Sequence, residues 1–144
     1  MRKTFKADKD ELYNVLGFVE EEIGDKIGMK QLMSINVVVE ELFVNVASYA
    51  YQRGKDESKG EDSEGTGFVD IDIKNDEDNQ RIIITFEDSG IPFDPLEKSD
   101  PDITLNAEER EIGGLGIFIV KKMMDKVDYN YINGRNTLII EKKY

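Results

Sequence analysis

The sequence predicts an α/β fold, a two-layer sandwich in which helices cover one face of a mixed β-sheet. Three observations lead there: two stretches with apolar residues at helical spacing near the start, an alternating pair of strands at 68–88, and a further helix followed by a second hairpin. At 144 residues the chain is long enough to form one domain, 1–144, whose core needs no covalent staple.

Taken in order, residues 2–7 (RKTFKA) are short and partly alternating, which predicts an edge strand, and Asp8 or Asp10 is placed to cap the helix that follows. That helix, about 9–23, puts Leu12, Val15, Leu16, Val19 and Ile23 on one side and Glu20, Glu21 and Glu22 toward the other. Gly24 and Gly28 break it, and a second helix runs from near Met29 to about Tyr51. Residues 52–67 are poor in apolar side chains and rich in Gly, Ser and charge, an exposed connection. FVDIDIK at 68–74 alternates as a half-buried strand should, NDEDNQ makes a turn, and RIIITFED at 81–88 is the partner strand. DSGIPFDPL forces a loop, and 96–112 is a second long polar run, the kind that in a compact domain is either functional or unsettled. Gly113, Gly114 and Gly116 open a helix at 115–127, and a last hairpin turns at Asn133-Gly134.

Composition removes several kinds of function. The 31 acidic against 19 basic side chains leave a net charge of −12, which repels a nucleic-acid backbone or an anionic membrane over most of the surface. There is no cysteine, so no disulfide framework and no thiolate metal site, an absence that fits a reducing compartment. No histidine is present either, which excludes imidazole zinc sites, Ser/His/Asp triads and an internal phosphohistidine. The N-terminus lacks the apolar segment of a signal peptide, and no apolar run is expected to span a membrane; a cytoplasmic protein is expected.

The second helix carries an unusual pair. Glu41 and Asn45, four residues apart, share one helical face and lie along the edge of the apolar stripe formed by Leu42, Phe43, Val46, Ala47 and Ala50. Alone, such a pair reads as a solvated surface; burying it is costly unless it binds something. Downstream, Asp88-Ser-Gly-Ile-Pro-Phe-Asp-Pro follows a buried strand, and Gly113-Gly-Leu-Gly precedes a helix. In that order the three stretches resemble the N, G1 and G2 boxes of the GHKL (histidine-kinase-like) ATPases. Within that family they are most similar to the bacterial anti-sigma-factor serine/threonine kinases. The resemblance runs from about residue 36 to the C-terminus and rests on EExxxNxxxYAY, DSGxxFDP, GGLGIxxVKxxxDxV and a final NGxNTLxI in sequence.

The resemblance implies the histidine-kinase-like ATPase fold, ATP and Mg²⁺ as cofactors, and phosphorylation of a serine or threonine on an anti-anti-sigma partner of the STAS type. It further implies sequestration of a sigma factor and a homodimer. Asn45 is then the metal ligand, since Mg²⁺ takes one or two protein oxygens beside phosphate and water. Glu41 is the group that accepts the proton of the attacking hydroxyl or orients it. Asp88 accepts from the exocyclic amine of adenine while Gly90 allows close backbone approach to the ring. Gly113, Gly114, Leu115 and Gly116 present backbone N–H groups to phosphates at a helix start. Arg110, in a lid at 96–112, neutralises γ-phosphate charge, and Thr137 lies near adenine. The chain departs from its relatives at Tyr49, where a basic or His residue is common, and in the length of 52–67. Two rivals stand beside this reading: a non-catalytic ATP-binding module that masks a partner, and a stand-alone ATP-binding domain of histidine-kinase type, against which the missing histidine argues.

Overall fold

The structure, a computed structural model, describes residues 1–51, 67–97 and 114–144. The expected connection at 52–67, except Gly67, and nearly all of the polar run 96–112, with Arg110 and Gly113, lie outside the described residues.

Among the described residues five strands form one sheet: β1 (Arg2–Lys6), β2 (Phe68–Asp76), β3 (Arg81–Asp88), β4 (Lys126–Ile132) and β5 (Arg135–Lys143), in the order β1-β2-β3-β5-β4. β1 is at an edge, as its length and alternation predicted. All four pairings are antiparallel, so the sheet is not mixed. β3 and β4 do run parallel to one another, joined through a helix, but β5 folds back from the Asn133-Gly134 turn and inserts between them. Both turn residues have positive φ, 53° and 77°, the geometry of a tight two-residue hairpin turn.

Three helices, α1 (Leu12–Ile23), α2 (Met29–Asn45) and α3 (Gly114–Met123), supply the second layer. Asp8 caps the 3₁₀ turn Lys9–Glu11 that leads into α1, its carboxylate accepting from the Asp10 N–H at 2.9 Å. α2 continues as one π-helical turn, Val46–Ala50. α3 stops at Met123, short of the expected 127, because Lys126 and Val127 already pair with β5.

One buried cluster joins the layers. Phe5, Val69, Ile71, Ile73, Ile82, Ile84, Phe86, Leu138 and Ile140 face it from the sheet, Val15, Phe18, Val19 and Ile23 from α1, and Ile117 and Val120 from α3. α2 gives the most, burying Leu32, Ile35, Val38, Val39, Leu42 and Phe43. By length and composition Met29–Ala50 is apolar enough to cross a bilayer, contrary to the sequence expectation; here those buried residues pack against the sheet and the other helices. The opposite face of the sheet stays polar: Arg2 and Arg135 both pair with Asp70, at 3.1 and 2.9 Å, and both reach Glu87. Burial pushes the Asp70 carboxyl up, but its bonds to Thr4, Arg135 and Arg2 win, and the net shift is downward.

Candidate functional site

Alternation along β3 turns Ile82, Ile84, Phe86 and Asp88 inward, so a carboxylate comes last in an otherwise apolar row. Asp88 is only 5% exposed. Burial drives its pKa upward, opposed by the Asn136 amide, the Gly90 N–H and the charge of Arg135. Both hydrogen bonds fall on one oxygen, Oδ1, at 2.9 Å from Asn136 Nδ2 and 2.9 Å from Gly90 N. No described residue donates to Oδ2.

An open cleft of about 470 Å³, solvent-facing space included, lies beside this carboxylate, within the range of small-molecule sites. Leu42, Val46, Phe86, Phe93 and Leu138 make it apolar, and Asn45, Asp88 and Asn136 are its polar side chains besides the Tyr129 hydroxyl. Asn45 is half-buried, and no described residue hydrogen-bonds its amide. Asn45 and Asp88, the residues expected at the metal and at adenine, thus line one cavity.

α2 carries the site lengthwise. At its far end the Ala50 carbonyl accepts from Ile91 N at 2.9 Å, tying the π-helical turn to the DSGIPF loop. Nine residues earlier Glu41 lies against α3: a Cβ placed on Gly116 would sit 2.3 Å from Glu41 Oε2. At helical rise that is roughly 13 Å, so the arrangement suits an elongated ligand. Gly114 and Leu115 form the first turn of α3 beside Gly116. Asn45 and Asp88 therefore meet in the cleft, and Glu41 meets Gly116 one turn upstream.

One expectation needs correcting, and another residue has a structural role besides the expected one. Thr137 is on the sheet face away from the cleft, opposite Glu87 in the neighbouring strand, because β5 alternates and it is Asn136 and Leu138 that face inward. Gly90 does not line the cleft. A Cβ there would lie 2.1 Å from the Ala50 carbonyl oxygen, so close approach to α2's extension by itself requires glycine at this position.

Asn136, Phe93 and Tyr129 were not anticipated. Asn136 is 6% exposed, and Tyr49 stacks on Phe93 at 6.1 Å between ring centroids. A signal for Asn136 existed: with the hairpin turn at 133–134, alternation back from Ile140 through Leu138 puts position 136 inside. The contiguous Leu138-Ile139-Ile140 hid the phase.

Comparison with known proteins gives a consistent family setting. The family model described as "Histidine kinase-like ATPase domain" matches residues 5–142. An anti-sigma F factor of Clostridium perfringens is 29% identical over 115 residues, covering 80% of this chain and 74% of that protein. A serine-protein kinase RsbW of Halalkalibacterium halodurans is 26% identical over 137 residues, covering 88% of this chain and 73% of the relative. Among solved structures, the RsbU and RsbW domains of Rv1364c from Mycobacterium tuberculosis align with a TM-score of 0.61 at 11% identity, a likeness of fold. The alignment covers 99% of this chain and 32% of that one, so the chain spans about a third of that larger protein's length.

Proposed function

The chain belongs to the histidine-kinase-like ATPase domain family, and from that premise we propose that it is an ATP- and Mg²⁺-dependent serine/threonine protein kinase of the partner-switching kind. Its substrate is an anti-anti-sigma protein of the STAS type, it sequesters a sigma factor, and it works in the cytoplasm as a homodimer. The observation that carries this reading is that Asn45 and Asp88, 43 positions apart in sequence, line one cleft, while Glu41, one turn before Asn45 on α2, lies against Gly116 of α3. The names of the two relatives, an anti-sigma factor and a serine-protein kinase, supply the reaction class.

The residues fit the nucleotide. The cleft is apolar enough for a purine, and Asp88 Oδ2, to which no described residue donates, is an acceptor for an exocyclic amine. Asn45 offers a hard cation an amide oxygen that no described residue engages. Backbone N–H groups in the first turn of α3 have no partner within that helix and suit phosphate oxygens. Bound Mg-ATP supplies the phosphoryl group and the positive charge that screens it. Glu41, next to Gly116, takes the proton of the partner's Ser or Thr hydroxyl as general base, and Arg110 is assigned to the phosphates by family resemblance alone.

Calorimetry with Mg-ATP and transfer of labelled phosphate to a purified STAS-domain partner test the proposal together. We expect Glu41→Gln to keep Mg-ATP affinity and to lose transfer by about 10²–10⁴-fold, the range for removal of a general base. Equal transfer by the variant would remove Glu41 from the mechanism. Wild-type protein that binds Mg-ATP yet phosphorylates no cognate partner would instead mark a module that masks its partner.

A further inference from the structure

Asn136 is held in a way that leaves its amide one orientation. Its Nδ2 donates to Asp88 Oδ1 at 2.9 Å and to the Ile91 carbonyl at 2.8 Å. Its Oδ1 accepts from Phe93 N at 3.1 Å and from the Tyr129 hydroxyl, which itself accepts from Phe93 N at 3.3 Å. A reversed amide would set NH₂ against the Phe93 N–H and oxygen against the Ile91 carbonyl, losing bonds at a buried site. Ile91 and Phe93 flank Pro92, so the side-chain amide pairs with the loop as a neighbouring strand's peptide group would. Two backbone groups that cannot change character thereby dictate that Asp88 Oδ1 receives a donor.

We propose that Asn136 is the specificity-positioning residue of the cleft: it keeps Asp88 an acceptor-only carboxylate, so that the site takes a purine with an amino group at that edge and refuses one with a carbonyl there. This rests on the reading of the cleft as a purine-nucleotide site. Oδ1 already has two donors, which directs Oδ2 to the ligand. The alternative state matters because burial works against the charge. A neutral Asp88 carries an O–H, which donates to a carbonyl as readily as the ionised form accepts from an amine. The groups around Asp88 are Arg135 on β5, whose charge favours ionisation, Tyr129 on β4, and Tyr51 after the π-helical turn, whose hydroxyl accepts from Ser89 N. Asn136 reaches across from β5, and besides the Asp88 carboxylate it bonds the Ile91 and Phe93 backbone of the loop beside the cleft.

The experiment uses ADP and GDP, which avoid turnover, and compares wild type with Asn136→Leu and Tyr129→Phe. Affinities are measured by calorimetry from about pH 5 to 8.5, and the Asp88 carboxyl is followed by carbon NMR in nucleotide-free protein. Wild type should prefer ADP, with the preference falling as pH drops through the Asp88 titration. Asn136→Leu should move that titration upward and reduce the ADP-to-GDP ratio about tenfold or more near neutral pH, with recovery at higher pH; Tyr129→Phe should act in the same direction, less strongly. Should Asn136→Leu fail to fold, Tyr129→Phe and the wild-type pH profile decide. An unmoved Asp88 titration, with both affinities lowered equally, would reduce Asn136 to a loop anchor and overturn the proposal. Wild type that binds neither nucleotide would overturn the nucleotide reading itself, and the specificity role with it.

Discussion

Asp88 shows how a single residue can serve function at a cost to the fold. Its pKa is raised by burial, so between its unfolded and folded values the native state holds more protons than the unfolded one, and stability falls as pH rises through that window. At neutral pH the ionised carboxylate is therefore a net destabiliser. Asp88→Asn retains an oxygen to accept from Asn136 and Gly90 and removes the charge. We expect a higher Tm at pH 7, on the order of a few degrees, a smaller gain at pH 4, and loss of adenine-nucleotide binding; a lower Tm at pH 7 would contradict the assignment. At this scale the sequence revealed the chemistry and missed one partner. The Asp-Ser-Gly of G1 is readable because it is contiguous, whereas Asn136 lies 48 positions away and becomes relevant only when β5 pairs with β3.

Among the elements, α2 and its π-helical turn determine how the boxes meet. Two glycines touch this unit and should respond differently to the same substitution. A Cβ at Gly90 meets the Ala50 carbonyl at 2.1 Å, backbone against backbone, so Gly90→Ala should destabilise by about 1–3 kcal/mol or more and weaken nucleotide binding together with it. A Cβ at Gly116 meets first the end of the Glu41 side chain, which can swing away, and alanine is favoured over glycine inside a helix by about 1 kcal/mol. Gly116→Ala should therefore keep or slightly raise Tm while lowering phosphate transfer. Thermal melts and transfer assays on the two variants check the contrast; equal destabilisation would show that Glu41 cannot move. The helical period of α2 was plain in the sequence. Its change to a π turn at Val46 was not, and that turn ends where the Ala50 carbonyl bonds the distant loop at Ile91.

For the molecule as a whole, ligand and fold are linked, because the cleft is lined by α2, β3, β4 and β5 together and exists only when they are assembled. Anything bound there stabilises the native state by mass action, by about 2.7 kcal/mol at a hundred times Kd. For a chain of this size that predicts a rise in Tm of roughly 5–10 °C with saturating Mg-ATP and a smaller one with Mg-GTP; no shift with either would argue against a nucleotide site. By itself the sequence determined the two-layer α/β class, the helices and hairpins, and the three boxes, because periodicity, turn chemistry and short motifs are local properties of the chain. Tertiary structure alone decided that the sheet is antiparallel throughout, that β5 inserts beside β3, and that Asn136 rather than Thr137 faces the cleft. Those outcomes depend on which strand pairs with which and in what phase, and pairing between distant segments is selected by how the assembled core packs, which leaves no mark on any single stretch.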